Sequence, residues 1–105
     1  MKVERSWGYY RVIEESPGYK LKEIVVYPGK CLSYQKHEER NELWFVKEGN
    51  GTVIIGDKAF VAEPHSIFTI SVGEWHQLIN GTLKELRIIE TQFGNVCIEE
   101  DIERK

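Results

Sequence analysis

The 105-residue sequence predicts an all-β fold, a single small sandwich or barrel. Turn signals recur every 8–12 residues or so, short runs of β-branched and aromatic residues lie between them, and no long stretch of helical periodicity interrupts the series. A chain of this length supports one hydrophobic core and is too short for two ordinary domains, so residues 1–105 read as one domain.

The elements follow in order. Tyr9–Glu14 is the first strand, a Tyr-Tyr-Arg-Val-Ile-Glu run closed by Pro17-Gly18. Tyr19–Tyr27 is the second, ended by Pro28-Gly29. Cys31–Lys36 and Glu42–Lys47 come next, the latter stopped by Gly49-Asn50-Gly51. Thr52–Ile55 and Ala59–Ala62 flank Gly56-Asp57 as a hairpin. Ile67–Ile70 lies between Glu63-Pro64 and Val72-Gly73. His76–Ile79 precedes Asn80-Gly81, and Leu86–Thr91 is the last strand. The acidic tail Ile98–Arg104 is expected to form one or two helical turns. Both Asn-Gly-Thr triplets, at Asn50 and Asn80, read as turns rather than glycosylation sites.

Composition narrows the function classes. A hydrophobic share of 41% and a charged share of 30% are those of a globular chain. A net charge of -3 offers no basic face for nucleic acid. No apolar run is long enough to span a bilayer, and Met1–Arg5 lacks the apolar stretch of a signal peptide, so the cytoplasm is the expected compartment. Cys31 and Cys97 fit no paired metal motif and are expected to be plain thiols packed as small hydrophobes.

One constellation carries chemistry. Strand side chains alternate, so Gln35 and His37 share a face. Glu42 and Trp44 share a face of the next strand, and His76 stands on a later one with Leu78 and Asn80. In a small barrel such inward residues come within reach of one another. Two imidazoles, one carboxylate and one amide oxygen form a mixed set for a divalent ion, with Zn, Mn, Fe, Co and Ni all open. Glu39 is the rival carboxylate. His65, beside Pro64, reads as an exposed turn residue. Trp7, Trp44 and Trp75 read as core or cavity-lining aromatics, Trp44 as a wall for a sugar. Arg40 reads either as a phosphate or substrate ligand or as a surface ion pair.

The spacing Gly29-x5-Gln35-x-His37-x4-Glu42-x6-Gly49, followed by Ser71-x-Gly73-x2-His76-x3-Asn80, resembles the two motifs of the cupin superfamily. That resemblance implies a double-stranded β-helix, or jelly-roll barrel, holding a metal. Gln35 stands where the first histidine is usual, and Ser71 where proline is. The run Leu32-Ser33-Tyr34-Gln35-Lys36-His37-Glu38-Glu39-Arg40-Asn41-Glu42-Leu43-Trp44 is similar to the corresponding stretch of type II mannose-6-phosphate isomerases. So are Arg5-Ser6-Trp7-Gly8, Ile88–Gly94 and Glu100–Arg104. Glu38-Glu39 replaces a histidine pair common in that family. The family often joins this domain to a mannose-1-phosphate guanylyltransferase, whose glycine-rich nucleotide-binding segment has no counterpart here.

The resemblance implies Gln35, His37, Glu42 and His76 as metal ligands, zinc first among the candidates. It implies isomerisation of mannose 6-phosphate to fructose 6-phosphate through an enediolate, with Glu90 moving the proton and His65 a weaker alternative base. Arg40 would steady the phosphate, with Arg5, Lys36 and Trp44 completing the substrate site. A second reading is a metal-containing sugar-binding module without turnover. An iron dioxygenase fits less well, because such enzymes place histidine where Gln35 stands. A homodimer is expected, with outward Leu43 and Phe45 as candidate interface residues.

Overall fold

A computed structural model describes residues 1–105. The runs of Val, Ile and aromatic residues form strands β1 (Val3–Arg5), β2 (Gly8–Ser16), β3 (Tyr19–Val26), β4 (Gln35–Lys36), β5 (Arg40–Glu48), β6 (Gly51–Ile55), β7 (Lys58–Ala62), β8 (Ile67–Ile70), β9 (His76–Ile79), β10 (Leu86–Gly94) and β11 (Glu103–Arg104). They make two antiparallel sheets, one in the order β1-β2-β3-β10-β5-β8 and one in the order β11-β4-β9-β6-β7. Together they form the double-stranded β-helix expected of the sequence. No helix is long and apolar enough to cross a membrane.

The inward rows of the larger sheet run from apolar to polar along the strands. Ile24, Ile88 and Val46 lie side by side in one row. Lys22, Glu90, Trp44 and Phe68 form the next, and Lys20, Gln92, Glu42 and Ile70 the one beyond. The first row belongs to the core with Val26, Leu32, Val53, Ala62, Leu78 and Leu86. Burying these side chains drives the two sheets together. The polar rows form the mouth of the barrel, and the site is built there.

Three expectations need correction. Cys31–Lys36 is not one strand: only Gln35–Lys36 joins a ladder, while Cys31 makes an isolated bridge to Ile79. Leu32 instead turns into the core and bonds the Leu78 carbonyl through its N–H at 3.0 Å. Cys31 is exposed rather than packed, whereas Cys97 is buried. The tail forms no helix: after a turn it runs extended, and Glu103–Arg104 pairs with β4. One or two isolated helical turns cannot repay their nucleation cost, and an unpaired strand edge stands beside this segment.

Two glycines in the family-like segments are dictated by close approach. A Cβ on Gly8 (φ 154°) would lie 1.9 Å from the Val25 carbonyl oxygen. One on Gly94 (φ 157°) would lie 2.5 Å from the Glu39 oxygen and 2.8 Å from the Arg40 Cα, at the start of β5.

Candidate metal centre

His37, Glu42 and His76 converge at the mouth of the barrel, one candidate ligand atom from each lying within 4.8 Å of the others. His37 Nε2 stands 3.2 Å from Glu42 Oε2, and His76 Nε2 stands 3.7 Å from Glu42 Oε1. Ligand atoms about 2.1 Å from one tetrahedral ion lie about 3.4 Å apart, so the spacing fits a single cation. All three residues are buried.

The other ring nitrogens settle the tautomers. His37 Nδ1 donates to the Asp101 carbonyl at 2.7 Å, and His76 Nδ1 donates to the Glu74 carbonyl at 2.9 Å. A nitrogen facing a carbonyl must carry the proton, which makes each Nε2 the acceptor nitrogen of a neutral ring, with a Glu42 oxygen nearby. Burial, reinforced by the Arg40 charge, pulls His37 down to about 4, and burial lowers His76 as well. Neutral imidazoles oriented through Nδ1 and presenting Nε2 are the arrangement metal-binding histidines adopt. Gln35 lies opposite His76 in the β4–β9 ladder and lines the same cavity, its amide nitrogen donating to the Ser33 carbonyl at 3.4 Å.

Arg40 is not a surface residue. Its guanidinium is buried and bonds Glu42 Oε2 through Nε at 2.9 Å, the Ile98 carbonyl through Nη1 at 2.9 Å and His37 Nε2 through Nη2 at 3.2 Å. The ion pair considered from the sequence is therefore real, but it is buried and its partner is the candidate ligand carboxylate. A cation held by the trio competes with the Nη2 contact.

Glu90 lies beside the trio. Trp44 Nε1 donates to Glu42 at 2.9 Å and to Glu90 at 3.1 Å, and the Gln92 amide donates to Glu90 at 2.6 Å. Burial and then the Glu42 charge push Glu90 up to about 7. Gln92 Oε1 is buried without a partner.

A cavity of about 270 Å³ opens above these groups, and Arg5, Trp7, Tyr10, Lys22, Glu99 and Arg104 are among the residues that line it. Arg5 and Trp44, read from the sequence as substrate-binding residues, both line it. Lys36 does not: it sits over the Trp75 ring and pairs with Glu38 at 3.3 Å, outside the cavity. Strand alternation turns it away, since it stands between Gln35 and His37. Trp75 likewise stacks on Tyr34 outside the cavity. Glu39 is exposed, and His65 is an exposed turn residue (φ 76°) stacked on Phe45, so neither reaches the trio.

Sequence reasoning missed the tail. Asp101 accepts the Glu38 and Glu39 backbone N–H groups through its carboxylate at 3.0 and 2.9 Å, while its own carbonyl orients His37. The partners are more than sixty positions apart in the chain, so no local pattern announces them. Asp101→Ala is expected to weaken metal affinity roughly 10–100-fold, the usual effect of losing an outer support, with Asp101→Asn recovering part of it. Competition with a chelating dye measures this; unchanged affinity in Asp101→Ala would remove the tail from the site.

Comparison with known proteins places this geometry. The family described as "Mannose-6-phosphate isomerase C-terminal" matches residues 1–105. The chain is 35% identical over 104 residues to mannose-1-phosphate guanylyltransferase 2 of Escherichia coli O157:H7, covering 99% of this chain and 22% of that protein. It is 37% identical over 103 residues to the alginate biosynthesis protein AlgA of Pseudomonas aeruginosa, covering 98% and 21%. The same identity and span hold for the xanthan biosynthesis protein XanB of Xanthomonas campestris, covering 98% and 22%. The chain thus spans about a fifth of the length of these relatives. Among solved structures it resembles a cupin-2 domain from Rhodospirillum rubrum with a TM-score of 0.79 at 16% identity, covering 96% of this chain and 76% of that one. A double-stranded β-helix protein from Klebsiella pneumoniae superimposes with a TM-score of 0.83 at 13% identity, covering 97% and 87%.

These relatives correct the expectation of a self-contained enzyme converting mannose 6-phosphate to fructose 6-phosphate. They are named for guanylyl transfer and for alginate and xanthan biosynthesis, and none of the names assigns isomerisation to the matching fifth alone.

Proposed function

The chain belongs to the mannose-6-phosphate isomerase C-terminal family, and from that premise we propose that it is a cupin domain that holds one divalent metal ion and binds a phosphorylated sugar beside it. The observation that carries this reading is the convergence of two neutral, Nδ1-anchored imidazoles on one buried carboxylate at the floor of a cavity. His37, Glu42 and His76 hold the ion, with Gln35 as the adjoining amide. When bound, a divalent cation supplies a Lewis-acid contact for sugar oxygens. The chain's own groups do the rest. Trp44 and Trp7 wall the cavity, and Arg5 and Arg104 set positive charge at its mouth.

Zn, Mn, Fe, Co and Ni all suit the N/O donor set. The reading extends to a cytoplasmic chain that pairs with a second copy. Exposed Ile67, the cross-strand neighbour of half-buried Phe45 on the outer face of the larger sheet, supports that pairing.

Elemental analysis after purification, combined with calorimetric titration by mannose 6-phosphate and by mannose, tests the proposal. The expected result is close to one metal per chain and binding of the phosphorylated sugar about tenfold tighter or more than of the neutral one, a difference of about 1.4 kcal/mol. Protein that retains none of the five metals, or that binds the two sugars equally, would overturn it.

A further inference from the structure

Two lysines, Lys20 and Lys22, point into the barrel mouth from β3, their side chains only 7% and 6% exposed. Burying two ammonium groups is costly unless each is paired. Their shared counter-ion is Glu99, whose Oε2 lies 2.7 Å from Lys22 Nζ and 3.3 Å from Lys20 Nζ. Half-exposed Glu15 reaches Lys20 alone, at 3.5 Å. Lys22 Nζ lies 4.1 Å from the centroid of the Tyr10 ring, and the Arg5 guanidinium lies 5.6 Å from the same centroid. Lys22, Tyr10, Arg5 and Glu99 all line the cavity that holds the candidate metal trio.

Glu99 is a replaceable partner. It belongs to the stretch between β10 and β11, which joins neither sheet, and 46% of its side chain is exposed. Burial would raise its pKa, but the hydrogen bond and charge of Lys22, with Lys20 behind, hold it below the ordinary value and keep it anionic. One carboxylate brings a single negative charge to two buried cations. A phosphate monoester brings up to two, with three acceptor oxygens. Glu90, which faces Lys22 across the β3–β10 ladder, is already engaged by Trp44 and Gln92.

We propose that Lys20 and Lys22, with Arg5 at the rim, form a phosphate-monoester subsite that Glu99 fills as an internal stand-in and leaves when the ligand arrives. The inference rests on the reading of this cavity as a sugar-phosphate site, and it assigns the phosphate to β3 rather than to Arg40. The buried arginine already has three of its five N–H donors engaged, by Glu42, Ile98 and His37.

The test uses the full chain stripped of metal by chelation, so that phosphate cannot bind through an ion, with metal content of each variant measured separately. Inorganic phosphate is titrated first, then mannose 6-phosphate. Glu99→Gln keeps shape and removes the competing charge, so it is expected to bind phosphate about tenfold tighter than wild type. Adding Lys22→Met to that variant should abolish the gain, and adding Lys20→Met should reverse most of it. The same ranking with mannose 6-phosphate would support a monoester site. The proposal is overturned if Glu99→Gln binds phosphate no better than wild type, or if the double variants retain its affinity. A ranking seen with inorganic phosphate alone overturns the ester assignment. Loss of these effects with one metal still bound per chain condemns the subsite only. Absence of metal with the ranking intact condemns the metal reading only.

Discussion

Glu42→Gln is expected to destabilise the metal-free protein by about 3–5 kcal/mol, the usual cost of leaving a buried charge without its partner. Glu42 is 1% exposed, and its two oxygens answer Arg40 at 2.9 Å and Trp44 Nε1 at 2.9 Å. An amide of the same shape carries no charge, and one of its ends cannot accept a hydrogen bond. Either the Arg40 guanidinium then stays buried without a counter-charge, or the indole N–H faces another donor. Urea denaturation with a chelator present isolates this effect from metal binding. Arg40→Met in the Glu42→Gln background removes the stranded charge, and the double variant should recover a large part of the loss. A Glu42→Gln protein as stable as wild type would show that the carboxylate does not neutralise Arg40. In metal-loaded protein the same substitution should cost more affinity than the roughly 10–100-fold of an outer-support change, because it alters a proposed ligand atom itself.

His37→Ala and His76→Ala should each reduce bound metal to background after dialysis against a weak chelator, a loss on the order of 100-fold or more in affinity. Each change deletes one of the two proposed neutral nitrogen ligands. The remaining imidazole and carboxylate form a chelate too poor to compete. His65→Ala is the control and should keep wild-type metal content, since His65 stacks on Phe45 outside the cavity. Metal retained by both His37→Ala and His76→Ala would place the ion elsewhere.

The stretches Ile67–Ile70 and His76–Ile79 were legible to the residue, because turn chemistry on either side and β-branched runs within are local properties. The convergence of the candidate trio was legible for a related reason. Alternation puts His37, Glu42 and His76 on inward faces, and the family-like spacing says which strands carry them. The same alternation turns Lys36 outward and Lys20 and Lys22 inward with Ile24 and Val26, a pattern easily overlooked because lysine is so seldom buried. The tail was misread because its acidic composition says nothing of where its carboxylates go. Asp101 serves backbone N–H groups, and Glu99 two lysines, that stand more than sixty positions earlier in the chain.

Most strand positions and turns, and the alternation of side chains along those strands, thus follow from the order of residues alone, since steric and solvation preferences act over a few neighbours. The sequence also carries family membership and the identity of the inward polar groups. Which of those groups touch is a property of the closed barrel. Arg40 on Glu42, Asp101 behind His37 and Glu99 between the lysines are contacts across space, and their strength and protonation depend on distance and on exclusion of water. Both quantities come into being only when the two sheets close over the site.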